Sequence, residues 1–234
     1  MRINEIFYSL QGEGTLACEP TVFVRLQGCN LRCGWCDTIK AQDCEGGKEW
    51  NIADIVQKVR YLLPQSPLEN LWVCITGGEP LTQQSELAKL VAGLKQWSYR
   101  VTIETNGSLP PPHWYRFVNS WVADCKCPSS GEFPSFDIDW TDLRSCDQVK
   151  FVVADERDLK FVQGILCSKL FTPKVIVSPI LELENTTWCR NDGELPAVIL
   201  LTSWQQRVAE FCKEHRLRMS MQQHKFIWGI KEGV

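Results

Sequence analysis

Six short apolar runs, each leading into a polar cluster, constrain this chain more than any other feature. They are Thr21–Leu26, Leu71–Ile75, Arg100–Glu104, Trp121–Lys126, Asp147–Val153 and Lys174–Val177. Their β-branched and aromatic content reads as strand. Helical periodicities separate several of them. Asn51 is placed to cap a helix whose Ile52, Ile55, Val56, Val59, Leu62 and Leu63 share one face, with Pro64 and Pro67 ending it. Leu87, Leu90, Val91 and Leu94 mark a second helix, and further helices are expected over roughly 155–167 and 203–215. Strands alternating with helices imply crossover connections and a parallel sheet. A complete eight-fold barrel takes about 250 residues. With a polar, turn-rich insertion at 182–196 set aside, the 234 residues fit fewer units. The expected fold is α/β, an incomplete (β/α)6-type partial TIM barrel with parallel strands, as one domain over 1–234.

In such a fold, function gathers at the carboxyl ends of the strands. Five polar clusters sit there: the loop from Cys29, Thr76–Glu79, Glu104–Asn106, Asp124–Lys126 and Ser178. The first is Cys29-Asn30-Leu31-Arg32-Cys33-Gly34-Trp35-Cys36. Three thiolates this close can converge on one metal centre. Structural zinc sites and ordinary iron–sulfur ferredoxins use four protein ligands. Three therefore leave one position open for chemistry. A structural metal module would need a fourth ligand, and Cys44 is the nearest candidate. Leu10-Gln11-Gly12-Glu13-Gly14 combines backbone freedom with an acceptor and an amide, so it is either a surface turn or a ligand loop. Arg25 interrupts an apolar strand, either facing solvent or serving as a fork for a carboxylate.

The net charge of −3 leaves no electrostatic footprint for nucleic acid or an anionic membrane. Apolar residues at 44% suffice for a core, and no run approaches a membrane span. The N-terminus carries no signal-peptide pattern, so a cytoplasmic location is expected. Of twelve cysteines, the nine outside the loop are expected to be reduced and mostly buried, Cys125 and Cys127 among them. His113 and His215 are expected at the surface.

The C-x3-C-x2-C loop with an aromatic before its last cysteine, followed by Gly77-Gly78-Glu79-Pro80, resembles the radical S-adenosylmethionine (SAM) superfamily. That resemblance implies a [4Fe–4S] cluster on Cys29, Cys33 and Cys36. The open iron would bind SAM and cleave it to a 5′-deoxyadenosyl radical. A glycyl-radical activase shares this logic but acts on a protein. Leu10–Gly14, Phe23–Cys29, Cys36-Asp37-Thr38 and Met221-Gln222-Gln223-His224-Lys225 together resemble the 7-carboxy-7-deazaguanine synthases, nearly end to end. These carbon–nitrogen lyases convert 6-carboxy-5,6,7,8-tetrahydropterin to 7-carboxy-7-deazaguanine with loss of ammonia, towards queuosine, a tRNA modification, and other 7-deazapurines.

The resemblance assigns Leu10, Gln11, Gly12, Glu13, Arg25, Thr76 and His224 to the pterin. It assigns Gly78, Glu79, Asp124, Cys125, Lys126, Ser178, Pro179, Ile180 and Leu181 to SAM, and Thr38 to Mg2+. At 124–126 the family often reads Ser-Pro-Lys, so Lys126 carries over better than its neighbours. A flavodoxin or ferredoxin is the implied electron donor, and a homodimer the implied assembly.

Overall fold

The computed structural model describes residues 1–63, 71–133, 136–181 and 203–228. The expected insertion at 182–196, the helix-ending Pro64 and Pro67, and the tail from 229 lie outside the described residues. Among the described residues nine strands run in chain order: β1 (Arg2–Leu10), β2 (Pro20–Leu26), β3 (Lys48–Glu49), β4 (Trp72–Gly77), β5 (Arg100–Thr105), β6 (Ser120–Asp124), β7 (Gln148–Val153), β8 (Lys174–Pro179) and β9 (Arg218–Met219). They form one sheet in the order β3-β1-β2-β4-β5-β6-β7-β8-β9, with its two ends unpaired to each other. From β2 to β9 every pairing is parallel, while β1 runs antiparallel to both β2 and β3. The six expected strands are β2 and β4 to β8, and the sheet is an open partial barrel.

Helices α1 (Ile52–Leu62), α2 (Gln84–Lys95), α3 (Glu156–Ser168) and α4 (Ser203–His215) lie within the crossovers. Asn51 caps α1 as expected, its side chain accepting from Asp54 N at 2.8 Å. Leu87, Leu90 and Leu94 of α2 are fully buried, each contributing on the order of 2 kcal/mol. A short α5 (Gln223–Trp228) ends the described chain.

The alternation is less regular than the sequence suggests. Among the described residues, the connections β5–β6 and β6–β7 carry only 3-10 turns. Trp114, Trp121 and Trp140 pack in a row there, tilted against one another with ring centroids 5.8 and 5.4 Å apart, and fill the outer face that a helix would otherwise cover. Three indoles supply the apolar area of about one helix face without its length.

Successive strand residues face opposite sides. The helix-facing set is apolar: Val22, Val24, Leu26, Val73, Ile75, Val101, Ile103, Trp121 and Ala123 join one core cluster, and Val149, Phe151, Val153 and Val177 another. The alternate set faces away from the helices and is largely polar. Registers align Arg25 with Thr76, Glu104 with Val122, Val122 with Gln148, and Asp124 with Lys150. A soluble fold gains nothing from rows of buried charge unless they meet something. This polar face is where the site is built.

Candidate active site

The cysteine loop leaves the end of β2 and is held from two sides. Gly28 N donates to Ala41 O at 2.8 Å, Cys29 N to Gln42 O at 3.2 Å, and Gly34 N to Ser130 O at 2.9 Å. Trp35 Nε1 donates to Ser129 Oγ at 3.1 Å, and the Lys126 ammonium stands 5.1 Å from the Trp35 ring centroid. Trp35 is thus a wall between the loop and the end of β6. Cys29, Cys33 and Cys36 are half-buried free thiols.

Burial pushes the Cys33 thiol up to about 11; Lys126 opposes this, while Asp124, Cys36 and Cys29 reinforce it. Burial also raises Cys29, whose sulfur accepts from Leu31 N at 3.4 Å and Asn106 Nδ2 at 3.8 Å. Among the described residues no Cys, His, Asp and Glu side chains gather tightly enough for a single metal ion. A cluster differs, because it takes one thiolate on each of three separate irons. Three half-buried thiols on one loop, with N–H donors aimed at the Cys29 sulfur, fit such a group. Cys44, the sequence's candidate fourth ligand, is exposed beside Gly28.

Gly77 and Gly78 close the gap between β4 and this loop. Gly77 has φ +143, and a Cβ there would stand 2.3 Å from Leu26 O. At Gly78 a Cβ would stand 2.2 Å from Gly28 O and 2.5 Å from Ala41 O. Both glycines are therefore required by close backbone approach. Glu79 follows and is fully buried. Its Oε1 accepts from Leu81 N (2.9 Å) and Thr105 Oγ1 (2.8 Å), and its Oε2 from Asn106 N (2.6 Å). Burial raises its pKa, against these three donors and the Lys126 charge. The carboxylate ties the ends of β4 and β5 together.

The polar face converges on the loop after β1. Gln11 Nε2 donates to Glu104 Oε1 at 3.1 Å, and Thr76 Oγ1 to Glu104 Oε2 at 2.9 Å. Glu13 accepts from Lys150 Nζ at 3.0 Å and from Gln222 Nε2 at 3.1 Å. A pocket opens there, lined by Gln11, Glu13, Thr102, Glu104, Gln148 and Lys150 among others. The chain after β9 closes over it. Gln223 N donates to Gly12 O at 2.9 Å, and Gly14 N to Ser220 Oγ at 2.8 Å. His224 lies so close on Gly12 that a Cβ there would fall 2.1 Å from Nδ1. Burial lowers the His224 pKa, against the pull of Glu13 and Asp37.

At the rim, Arg25 Nε donates to Glu5 Oε1 at 2.8 Å and Nη1 to Thr38 Oγ1 at 3.5 Å. Thr38 donates to Asp37 Oδ1 at 3.0 Å, and Lys225 lies 4.0 Å from Asp37. At the end of β6, Lys126 Nζ donates to Asp124 Oδ2 at 2.8 Å. Asp124 Oδ1 is buried with no hydrogen-bond partner, an acceptor that a ligand donor would satisfy.

A family model described as a 4Fe-4S single cluster domain matches residues 10–109. The 7-carboxy-7-deazaguanine synthase of Methanospirillum hungatei JF-1 is 38% identical over 229 residues, covering 97% of this chain and 85% of that protein. The chain belongs to the 7-carboxy-7-deazaguanine synthase family. The Koribacter versatilis synthase is 37% identical over 234 residues, covering 97% of each chain. The crystal structure of QueE from Escherichia coli shares the fold, with TM-score 0.71 at 22% identity over 95% of this chain and 94% of that one. The synthase family's enzymatic character and the iron–sulfur domain agree with the open polar face and the three-thiol loop.

Of the residues expected in a site, Gln11, Gly12, Glu13, Arg25, Thr76 and His224 line or border the polar face, and Leu10 ends β1 beside them. Asp124 and Lys126 stand between that face and Trp35. Cys125 packs its side chain in the second core cluster, leaving only its backbone near the site. Ser178 and Pro179 are buried at the end of β8, while Ile180 is tied to Val153 O at 3.0 Å and accepts from Gln205 at 3.2 Å. Four participants carry no assignment from sequence: Glu104, Gln148, Lys150 and Gln222. A signal for Lys150 was present, since it interrupts the run Val149–Val153 as Arg25 interrupts β2. The expectation that the remaining cysteines are mostly buried holds for Cys125 and Cys127 but for only half of the eight described, Cys189 lying outside the described residues. Cys74, Cys125, Cys127 and Cys212 are buried, but Cys18, Cys44, Cys146 and Cys167 are exposed. No helix among the described residues is long and apolar enough to cross a membrane.

Proposed function

We propose that this chain is a radical SAM enzyme converting 6-carboxy-5,6,7,8-tetrahydropterin to 7-carboxy-7-deazaguanine with loss of ammonia. The observation that carries this reading is near full-length kinship with 7-carboxy-7-deazaguanine synthases at 38% identity. The polar row on the face of the sheet turned away from α1 to α4 supports it. Cys29, Cys33 and Cys36 would hold the [4Fe–4S] cluster, which when bound to SAM supplies the electron for its reductive cleavage. Gly78, Glu79, Asp124–Lys126 and Ser178–Leu181 would seat SAM, with the unpartnered Asp124 Oδ1 and the Lys126 ammonium facing its polar groups.

Gln11, Glu13, Glu104 and Thr76 offer alternating donors and acceptors suited to a pterin's heterocyclic edge. Arg25 supplies a guanidinium near the rim for the substrate carboxylate. Asp37 and Thr38 offer the hard oxygen ligands that Mg2+ takes together with water and substrate oxygens. His224 and Gln222 lie over the substrate loop and exclude water from it. An electron donor of the flavodoxin or ferredoxin kind and a homodimer complete the proposal.

The test is product formation by anaerobically reconstituted protein. Conversion is expected only with SAM, Mg2+ and a strong reductant all present. Absence of 7-carboxy-7-deazaguanine under those conditions refutes the reading. A Cys33→Ala variant is expected to lose the cluster's visible absorption, and a Thr38→Ala variant to need more Mg2+.

A further inference from the structure

Lys150 stands on β7 facing the polar side, where the sheet register places it beside Asp124. Its ammonium lies 3.0 Å from Glu13 Oε2 and 3.9 Å from Asp124 Oδ2. The side chains of Lys150 and Glu13 are only 17% and 16% exposed. The other Glu13 oxygen accepts from Gln222. The loop carrying Glu13 is pinned as well: Gly14 N donates to Ser220 Oγ at 2.8 Å and Thr15 N to Gln148 Oε1 at 3.0 Å. A carboxylate offers about four acceptor positions. Two are occupied here, and the remaining two are directed rather than free to swivel.

We propose that Lys150 is a positioning residue for substrate recognition, acting through Glu13 by fixing both the direction and the charge of that carboxylate. This rests on the pterin reading above. A pterin presents adjacent N–H donors at its pyrimidine edge, and a pinned anionic acceptor reads such an edge best. The geometry also shows why the effect falls on Glu13. Asp124 keeps Lys126 at 2.8 Å if Lys150 is removed. Glu13 keeps only Gln222 and the lowered His224.

Burial alone would raise the Glu13 pKa. Lys150, His224 and Gln222 together overcome it and hold the group at about 2. The charged groups around Lys150 are Glu13, Asp124, Glu104 and Lys126, and burial opposes its charge while the acidic neighbours raise its pKa. Without Lys150, burial prevails and Glu13 takes up a proton at higher pH.

The experiment compares wild type with Lys150→Met, Lys150→Arg, Glu13→Gln and the double variant Lys150→Met/Glu13→Gln. All are reconstituted with cluster. KM and kcat for the carboxytetrahydropterin are measured from pH 6 to 8.5. The Kd of the same pterin for SAM-free enzyme is measured by equilibrium dialysis. For Lys150→Met we expect KM and Kd to rise about tenfold at pH 7 and further towards pH 6, with kcat changed less than about threefold. Wild-type KM should not rise towards pH 6 in this way. Lys150→Arg should recover most of the loss, and the double variant should be no worse than Glu13→Gln. Wild-type pterin affinity in Lys150→Met without a pH trend, or additive losses in the double variant, overturns the proposal. So does a Lys150→Met and a Lys150→Gln variant that both fail to fold, since Lys150 would then be structural. If wild type neither binds nor converts the pterin, the pterin reading has failed. Pterin bound normally by wild type and by Lys150→Met sinks the role of Lys150 alone.

Discussion

Replacing Gly78 by alanine adds one methyl group where two other backbone segments press close. The new Cβ would lie 2.2 Å from Gly28 O and 2.5 Å from Ala41 O, both backbone atoms. Neither can rotate away as a side-chain tip could. The stems of the cysteine loop and of β4 must separate instead. Two backbone bonds cross that gap, Gly78 N to Leu26 O at 3.2 Å and Glu79 N to Gly28 O at 2.8 Å, while Gly28 N to Ala41 O at 2.8 Å ties the two stems of the loop to each other. Losing the two crossing bonds costs about 2 kcal/mol, at roughly 1 kcal/mol each. Overpacking adds about 1–3 kcal/mol. The expected destabilisation is about 3–5 kcal/mol, a large share of a typical domain's stability. Urea unfolding of the cluster-free protein measures it, and iron content after reconstitution reports on the loop. The cluster should be substoichiometric in whatever folded protein remains. A variant that unfolds within about 1 kcal/mol of wild type and takes a full complement of iron would falsify the claim that Gly78 is a steric necessity.

Other sites give contrasting expectations. Gly164 lies exposed within α3, and an added Cβ there would meet nothing within 4 Å, so Gly164→Ala should stabilise by about 0.8–1 kcal/mol in the same urea assay. Asp158 is fully buried and accepts from Ser129 N at 2.9 Å and Ala154 N at 2.8 Å. Asp158→Ala should cost about 3 kcal/mol and, because Ser129 and Ser130 hold Trp35 and Gly34, also lower iron occupancy after reconstitution. Glu13 is depressed from 4.5 to about 2, so its contribution is complete above pH 4.5 and lost as pH falls through 2. That difference corresponds to about 3 kcal/mol, and an acid titration of stability should be flatter over this window in Glu13→Gln than in wild type.

The outer face of the sheet was legible because burial writes itself into sequence. Val22, Val24 and Leu26, or Val101 and Ile103, had to be apolar to meet α1 and α2, and the six parallel strands follow from them. β1 was less visible. Its residues Arg2, Asn4 and Glu5 read as polar, since the strand pairs antiparallel near one edge and only Ile3 and Ser9 are buried beyond Met1. The two-residue strands β3 and β9 carry too little pattern to read. The missing helices after β5 and β6 are a question of competition: tryptophans give the same apolar signal whether they sit on a helix or fill its place. The cysteine loop and Gly77–Glu79 were legible because their spacing is chemical. Lys150 showed only as a charge breaking an apolar run, and Gln222 only as part of the stretch Met221–Lys225; their role lies in Glu13, 137 and 209 residues away.

Those long separations follow from the topology. An open sheet leaves one side of its polar face uncovered, and this sheet has β3 and β1 near one end and β9 at the other. The connection after β1 and the segment after β9 meet across that face. Ser220 accepts from Gly14, Gln222 donates to Glu13, Gln223 donates to Gly12, and His224 occupies the space above Gly12. The same segment reaches Asp37, beside the last cysteine of the three-cysteine loop, through Lys225. Chain from both ends of the sequence therefore closes what hydrogen-bonded strands leave open. A closed barrel would have filled its interior with side chains and left no room at this depth. Here the gap is spanned by a few polar contacts, each worth about 1 kcal/mol. Together they leave the Glu13 side chain only 16% exposed, although no single contact is strong.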